Sequence, residues 1–415
     1  MSGTLQRLDQ VQVSELAVSI RNAGIAGAGG AGFPTYAKWE RIDEVSNLLV
    51  NHQESEPNYY MDKWLGQSRA GDLDELFDAL SDSALDVVVI AAKESDRDRW
   101  MGELEATLGG TIYLPDELPI DAEDESGVVF AYTDDRYEFG MESVLLNMVA
   151  ETVIGRDLPM DHGWIVQNTE TLLAMYDALL TGQAMTHKHV HVDGHVPQHR
   201  FLEVPIGTPI EDILSAAGMS SSELPADAVV ADGGPGWCFA IEEPLEQFGI
   251  RKRSNCLLVL TEQEVKEHTL GNGRIDLRDL HPWKSGDHES APTGAITPDH
   301  VNIPLITNPA FEGVVEPSKP IVSEGESVEA GEMIAVPAPD GISIPQHTSI
   351  SGEVMSISDD WITIEHREPT TAVGRTAKVE PLDRLYWTWC QECGEYVIPE
   401  ATVVDPETYI CADCI

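Results

Sequence analysis

The stretch from Gly24 to Lys38 reads Gly-Ile-Ala-Gly-Ala-Gly-Gly-Ala-Gly-Phe-Pro-Thr-Tyr-Ala-Lys and decides how the first domain of this chain is interpreted. Glycines crowded between Gly27 and Gly32 remove the side chains that would keep a phosphate or a planar ring away from the backbone amides. Such a loop can bind a nucleotide. Small residues also serve tight helix packing, so the loop alone leaves both interpretations open.

A second polar segment follows a short apolar run from Leu48 to Val50. It reads Asn-His-Gln-Glu-Ser-Glu-Pro over residues 51–57. Ligands of open α/β sheets bind where the carboxyl end of a strand releases polar side chains into a loop. The sequence therefore predicts a ligand site at this strand end.

Apolar runs and helical patterns alternate through the first part of the chain. The spacing of apolar residues predicts a helix from Gln12 to Asn22 that leads into the glycine loop. Further strands are predicted at Leu48–Val50, Val87–Ala91 and Val128–Tyr132, and further helices at Asp72–Leu80, Asp96–Leu108, Met141–Gly155 and Glu170–Leu180. This alternation predicts a largely parallel, layered α/β domain.

Four segments in the same order resemble the flavin site of one superfamily. The first two are Gly-x-Gly-Gly-Ala-Gly-Phe-Pro-Thr-x-x-Lys, ending at Lys38, and Asn-x-x-Glu-x-Glu-Pro, beginning at Asn51. The others are the segments at residues 137–142 and 166–171. The superfamily contains the flavoprotein subunit of complex I, the C subunit of the Rnf complex and the cobalamin reductase of propanediol-utilising bacteria. The resemblance implies a Rossmann-like flavin domain that binds flavin mononucleotide (FMN) and NADH.

The resemblance also implies roles for individual residues. Those expected around the flavin phosphate and ring are Gly27, Gly29, Gly30, Lys38, Asn51, Glu54 and Asn168, with Lys38 supplying a cation to the phosphate. Those expected near the nicotinamide are Gly140 and Glu142, and Phe33 is expected to stack on adenine. Glu54 and Glu142 are the predicted catalytic residues.

Three positions depart from the complex I pattern. Gln53 and Met141 stand where complex I members have acids, and Arg41 stands where they place an aromatic residue for adenine stacking. The Rnf branch lacks the same two acids, so these departures indicate the Rnf-like branch. Loss of affinity for NADH stays open.

The charge of the chain is strongly one-sided. Lys and Arg number 25 against 72 Asp and Glu, which gives a net charge of −47. Such a surface repels phosphates, so nucleic acid and anionic membranes are excluded as generic partners. An acidic, Lys-poor surface predicts a halophilic protein, although an acidic electron-transfer surface is the alternative. With no long apolar segment and no apolar signal core, the expected location is cytoplasmic.

Five segments of different character predict the domain organisation. They are a FMN- and NADH-binding domain at 1–182, a β-grasp domain at 183–264, a linker at 265–300, a barrel-sandwich hybrid domain at 301–370 and a four-cysteine ribbon at 384–415. The resemblance identifies the β-grasp domain as a soluble-ligand-binding (SLBB) module. Related Rnf subunits and cobalamin reductases hold ferredoxin-type cysteine runs near the linker, and this chain has none there.

Histidines recur at 187, 189, 191, 195 and 199. Alternate residues of a strand share one face, which suggests a metal site. An exposed strand face explains the same pattern without a ligand, and this second interpretation is favoured.

Two Cys-x-x-Cys pairs lie at the end of the sequence. Cys390 and Cys393 form the first pair, and Cys411 and Cys414 form the second. Two such pairs can surround one metal ion, and a closed four-cysteine ribbon favours zinc, with iron as the alternative. Cys238 and Cys256 are expected to fill apolar cores.

The combined prediction is an FMN-dependent, NADH-oxidising electron-transfer subunit. It would pass electrons to a partner protein or to subunits of a respiratory complex, through which it could associate peripherally with a membrane. The acceptor is left open. The rival prediction is a redox-inactive scaffold or ligand-binding protein derived from a flavin domain.

Overall fold

The computed structural model describes residues 13–281, 283, 288–311 and 313–367, together with the two short strands Thr388–Trp389 and Tyr396–Val397. Within these ranges the chain folds into three domains that meet at the glycine loop. The four cysteines of the predicted ribbon lie outside the described residues.

The first domain is built on five parallel strands in the order β3-β4-β2-β1-β5. Their bounds are Asn47–Asn51 (β1), Val87–Lys93 (β2), Thr111–Tyr113 (β3), Gly127–Thr133 (β4) and Trp164–Asn168 (β5). Every residue of the central strand β2 is buried, because apolar clusters cover both faces of the sheet. The predicted parallel, layered α/β domain is confirmed.

Seven α-helices accompany this sheet within the described residues. They are Val13–Asn22 (α1), Tyr36–Trp39 (α2), Met61–Ser68 (α3), Ala70–Ser83 (α4), Gly102–Leu108 (α5), Glu142–Ala150 (α6) and Thr169–Thr181 (α7). The predicted helix at 96–108 is divided, since a π-helical turn over Arg97–Met101 precedes α5. Helix α6 ends earlier than predicted because Glu151 adopts a left-handed backbone with φ of 49°.

The second domain contains a mixed sheet in the order β7-β6-β10-β8-β9. Its elements are His187–Gly194 (β6), Arg200–Pro205 (β7), Ile210–Ala216 (α8), Ala228–Gly234 (β8), Trp237–Ala240 (β9), Cys256–Thr261 (β10) and Glu262–His268 (α9). Strands β6 and β10 are parallel, and the other pairs are antiparallel. The predicted order of strand pair, helix and strand is present, while the assignment to the SLBB family stays a prediction.

The predicted linker is a packed segment in its first half. Ile275 and Leu277 are buried in the same apolar cluster as Cys238 and Cys256 of the second domain. Trp283 joins this cluster and donates its indole N–H to the carbonyl of Leu277 at 2.9 Å. The sequence of this segment lacks a helical or strand pattern because its backbone is irregular, although its apolar side chains are packed.

The third domain consists of two small antiparallel sheets around one apolar core. The first has the order β11-β17-β16-β13 and the second the order β12-β14-β15. The strands are His300–Pro304 (β11), Lys319–Pro320 (β12), Ser327–Val328 (β13), Met333–Val336 (β14), Gln346–His347 (β15), Gly352–Ile357 (β16) and Trp361–His366 (β17). Val301, Ile334 and Ile362 are buried between them.

The second and third domains both contact the glycine loop. Lys252 donates from Nζ to the carbonyl of Gly24 at 2.6 Å, and Asn308 donates from Nδ2 to the carbonyl of Ala31 at 2.7 Å. Gly24 has φ of 64°, and a Cβ there would lie 2.6 Å from the carbonyl oxygen of Pro345. The loop therefore lies at the junction of all three domains.

An ion-pair network joins the first two domains behind the loop. Glu170, in the first turn of α7, contacts Lys188 Nζ with one carboxylate oxygen. Its other oxygen lies 2.9 Å from His189 Nδ1 and accepts the His189 backbone N–H at 3.0 Å. Burial alone would raise the pKa of Glu170, but Lys188 and His189 lower it to about 2. The carboxylate is therefore held ionised at this junction.

The histidine-rich strand presents the exposed face that the sequence predicted only in part, since His187 is exposed and His191 is buried. His191 is fully buried, with its ring stacked on those of Phe201 at 4.3 Å and Tyr59 at 5.4 Å between centroids. Its Nε2 accepts the backbone N–H of Tyr60 at 3.0 Å, and burial lowers its pKa well below the usual value. The expectation fails for His191 because the first domain packs onto this strand.

Candidate functional site

A cavity of about 610 Å³ opens at the carboxyl-end edge of the parallel sheet, where the three domains meet. The first domain supplies Gly29, Gly30, Ala31, Asn51, Glu54, Ser55, Glu56, Tyr59, Met61, Asp62, Tyr137, Gly140, Met141 and Asn168. The second supplies Gly233, Trp237, Phe239, Glu243, Arg251, Arg253 and Asn255, and the third supplies Asn308, Pro309, Ala310 and Phe311. Its position is the one at which α/β sheets bind ligands.

The floor of the cavity is formed by two neighbouring strand ends. Asn51 and Asn168 are the last residues of β1 and β5 and pair directly in register. Asn51 donates from Nδ2 to the carbonyl of Gly140 at 2.9 Å. A Cβ on Gly29 would come within 3.3 Å of the Asn168 side chain, so the absence of a side chain keeps the loop close to the strand ends.

One wall of the cavity carries buried carboxylates that accept hydrogen bonds from backbone amides. Glu54 accepts the backbone N–H groups of Asp62 at 2.6 Å and Lys63 at 3.2 Å, which lie in the first turn of α3. Asp62 accepts the N–H of Glu170 at 2.9 Å, in the first turn of α7. These carboxylates satisfy otherwise unpaired amides at two helix starts.

Burial shifts the pKa values of this wall upward. The pKa of Glu54 is raised by burial, and the pKa of Asp62 is raised well above its usual value by burial and by the neighbouring Glu54. Burial also raises the pKa of Glu56 to about 7, although Tyr137 Oη donates to it at 2.6 Å and Gly236 N at 2.7 Å. Among these groups, Glu56 can hold a proton near neutral pH, which suits proton transfer.

Another wall of the cavity carries the guanidinium groups of Arg251 and Arg253. Arg253 forms an ion pair with Asp232 at 2.7 Å, and Arg251 lies 3.3 Å from Glu243. The Nε atoms of both arginines and the Oδ1 atom of Asn255 are buried without a hydrogen-bond partner among the described residues. The cavity therefore has a carboxylate wall and a guanidinium wall, and the guanidinium wall also carries the Glu243 carboxylate.

Six predicted site residues line this cavity: Gly29, Gly30, Asn51, Glu54, Gly140 and Asn168. Lys38 and Glu142 do not, because they contact each other. Lys38 Nζ lies 2.5 Å from the Glu142 carboxylate and 2.9 Å from the carbonyl of Val166. Lys38 and Glu142 are therefore paired with each other in this structure, and the roles expected of them at a phosphate and at the nicotinamide stay predictions.

Gly27 and Phe33 also lie outside the lining. Gly27 uses its N–H within the loop, donating to the carbonyl of Phe33 at 2.8 Å. The Phe33 ring contacts that of Phe311 edge to face, with centroids 5.7 Å apart, and Phe311 lines the cavity in its place. Phe33 thus contacts a lining residue, and Gly27 contacts Phe33, without either of them lining the cavity.

Several lining residues were not singled out from the sequence. Glu56 belongs to the same short motif as Glu54, so a local signal for it was present. Arg251 and Arg253 form a cationic tripeptide with Lys252, which is unusual in a chain with 25 Lys and Arg. Asn308 and Phe311 carried no local signal, because they reach the site only through the packing of the third domain.

Comparison with known proteins agrees with this architecture. Residues 20–177 match the family model of the Nuo51 FMN-binding domain, and residues 293–376 match that of the RnfC barrel sandwich hybrid domain. The first domain therefore matches an FMN-binding domain model over most of its length. Two parts of the chain thus resemble domains of the superfamily that contains the complex I flavoprotein subunit and the C subunit of the Rnf complex.

Individual relatives match over part of their length. The C subunit of the ion-translocating oxidoreductase complex of Pseudomonas aeruginosa is 31% identical over 252 residues, which cover 60% of this chain and 30% of that protein. The equivalent protein of Serratia proteamaculans is 28% identical, covering 62% and 34%. The chain therefore spans about a third of the length of these curated relatives.

A solved NAD+-reducing NiFe-hydrogenase in the air-oxidized state is similar at a TM-score of 0.46 and 21% identity. The match covers 64% of this chain and 52% of that one. Among the described helices, none is both long enough and apolar enough to cross a membrane.

Proposed function

We propose that this chain is an FMN-dependent, NADH-oxidising electron-transfer subunit. The observation that carries the proposal is the cavity at the carboxyl ends of β1 and β5, bounded by the glycine loop. Its volume of about 610 Å³ lies in the range of small-molecule sites. The relatives are subunits of a redox complex, which supports a partner protein as the electron acceptor.

The residues present fit a flavin nucleotide. Gly29 and Gly30 leave the loop backbone open, and a Cβ on Gly30 would meet only Asn255 Nδ2, at 3.8 Å. Asn255 lines the cavity, and its Nδ2 beside Gly30 offers a hydrogen-bond donor there. A bound flavin would supply the chemistry of accepting a hydride from a reduced nicotinamide and releasing electrons singly. Asn51 and Asn168 would orient the ligand, and Glu54 would hold a proton near it.

One observation favours the alternative, a flavin-domain scaffold that has lost NADH turnover. Glu142 is paired with Lys38 and does not line the cavity. An NADH-oxidising site that uses Glu142 requires this pair to open when the dinucleotide binds. The two functions therefore differ in whether flavin reduction by NADH depends on Glu142.

Flavin content and NADH reactivity test the proposal. Protein purified in molar KCl should carry about one FMN per chain, and NADH should bleach it under anaerobic conditions. Gly30→Val should abolish binding, because Gly30 has φ of 99°, which a β-branched residue does not tolerate. Glu54→Gln and Glu142→Gln should slow bleaching while the flavin stays bound. Colourless protein that binds no added FMN would contradict the proposal.

The four cysteines give the proposal a second component. Cys390, Cys393, Cys411 and Cys414 are proposed to hold one structural zinc ion, with iron as the alternative. Elemental analysis distinguishes the two metals. An iron content of one per chain, with a visible spectrum that bleaches on adding NADH, would instead make this site the electron exit.

A further inference from the structure

We infer that Arg253, supplied by the second domain, binds the phosphate group of the flavin nucleotide and makes this domain part of the flavin site. The inference rests on the proposed function, since it concerns the same cavity. It differs from the expectation for Lys38, whose ammonium group is occupied by Glu142 and the carbonyl of Val166.

Arg253 lies beside the glycine loop. The segment 251–255 precedes β10 and packs directly against that loop. A Cβ on Gly32 would come within 3.0 Å of Arg253 Cβ, and a Cβ on Gly30 within 3.8 Å of Asn255 Nδ2. A phosphate bound by the amides of this loop would therefore lie beside the Arg253 side chain.

Arg253 also has unused hydrogen-bonding capacity. Arg69 provides a comparison, because its guanidinium group forms ion pairs with two carboxylates. It lies 2.6 Å from both Asp72 and Asp177. Among the described residues, Arg253 forms an ion pair with Asp232 alone, and its side chain stays 14% exposed in the lining of the cavity. Planar guanidinium groups bind phosphate oxygens through paired N–H donors.

The two walls of the cavity differ in charge. The wall formed by Glu54, Glu56 and Asp62 repels an anion whenever any of the three is ionised. Arg251 and Arg253 are the only Lys or Arg residues among the described residues that line the cavity. An asymmetric ligand, with an uncharged ring at one end and a phosphate at the other, would place the phosphate at the guanidinium wall.

Binding of FMN and of riboflavin, which lacks the phosphate, tests the inference on the full-length chain in molar KCl. To avoid leaving Asp232 buried without its partner, the test variant is Arg253→Gln combined with Asp232→Asn, compared with Asp232→Asn alone. The double variant should bind FMN roughly 10- to 100-fold more weakly than Asp232→Asn, the effect of losing a hydrogen bond to a charged group. Riboflavin affinity should change less than about twofold, because no phosphate contact is lost.

Two further variants separate a phosphate contact from a general effect on the second domain. Arg253→Lys should recover part of the preference for FMN over riboflavin, because it keeps the charge and loses the planar donor pair. Arg200→Gln removes an arginine of the same domain that pairs with Glu289 outside the cavity lining, and should change neither affinity.

The possible failures are distinguishable. Wild-type protein that binds neither flavin would overturn the proposed function and this inference together. An unchanged ratio of FMN to riboflavin affinity in the double variant would overturn the inference alone. If NADH affinity falls while that ratio stays constant, the arginine binds the dinucleotide pyrophosphate and the assignment to FMN is wrong.

Discussion

Two groups of buried carboxylates in this molecule have opposite surroundings. At the junction of the first and second domains, Glu170 contacts the ammonium group of Lys188 and the ring of His189. In the cavity wall, Glu54 and Asp62 contact backbone amides. The first arrangement lowers the carboxylate pKa, and the second leaves it raised.

The difference separates a structural carboxylate from a reactive one. A cation beside Glu170 keeps it charged and fixes the domains relative to each other. Amide donors satisfy only part of the hydrogen-bonding capacity of Glu54, and burial raises its pKa. Lys63 lowers the pKa of Glu54 and Lys188 lowers that of Asp62, but burial outweighs both cations.

The largest effect is expected when the cation is removed from the junction. Lys188→Met should lower the free energy of unfolding by about 3–5 kcal/mol, because Glu170 then stays buried without its main partner. Denaturant unfolding at constant KCl measures the loss. Lys266→Met, on the surface helix α9, is the matched control. A loss no larger than that of the control would contradict the structural role.

A second test uses pH to compare the two regions. The pKa of Glu56 is raised from 4.5 to about 7, so its contribution to stability is present below pH 4.5 and is lost as pH rises to about 7. Wild type should therefore lose about 3 kcal/mol relative to Glu56→Gln over this interval.

Unfolding of both proteins at several pH values measures that difference. The exposed substitution Glu103→Gln is the control and should follow the wild-type profile. For Glu170, whose pKa is lowered to about 2, the sign is reversed. Its contribution is present above pH 4.5 and is lost as pH falls towards 2. Parallel profiles for wild type and Glu56→Gln would show that Glu56 ionises normally.

Replacing a carboxylate by an amide should discriminate the regions at constant pH. Glu54→Gln keeps an acceptor for the amides of α3, so we expect a cost of about 1 kcal/mol or less near pH 7. Glu170→Gln removes a charge that Lys188 requires and should cost about 3 kcal/mol or more. Both values come from the same unfolding assay. Equal costs for the two substitutions would remove the distinction.

The smallest effect concerns the partly exposed pair of Lys38 and Glu142, whose side chains are 18% and 36% exposed. A double-mutant cycle with Lys38→Met and Glu142→Gln should give a coupling energy of about 0.2–1 kcal/mol, since solvent screens such pairs. A coupling energy above about 2 kcal/mol would show that this pair behaves as a buried ion pair, like that of Lys188 and Glu170.

The sequence predicted the parts of the site that depend on local order. Asn51 and Asn168 were recognised because each belongs to a motif at a strand end, and parallel strands bring their carboxyl ends to one edge. Glu54 was recognised from the motif that begins at Asn51. The parallel sheet followed from the alternation of apolar runs and helices.

The remaining features depend on tertiary packing, which short patterns do not encode. The spacing of residues in the sequence does not predict that Arg253 or Phe311 lies beside the glycine loop, which is more than 200 residues earlier in the chain. Lys38 matches its motif, yet its partner Glu142 is 104 residues away. His191 follows an alternating pattern that indicates exposure, but the first domain covers it.

The position of the glycine loop at the junction of the domains has a consequence during synthesis on the ribosome. Its contacts with Lys252 and Asn308 span 228 and 277 residues, and the contact between Tyr36 and Ser343 spans 307. The contacts of Asn308 and Ser343 therefore form only after roughly 300 further residues have been synthesised. Nascent chains arrested before residue 300 would contain the complete parallel sheet but lack one side of the cavity. Cofactor insertion would then follow the emergence of Phe311, the last residue along the chain that lines the cavity.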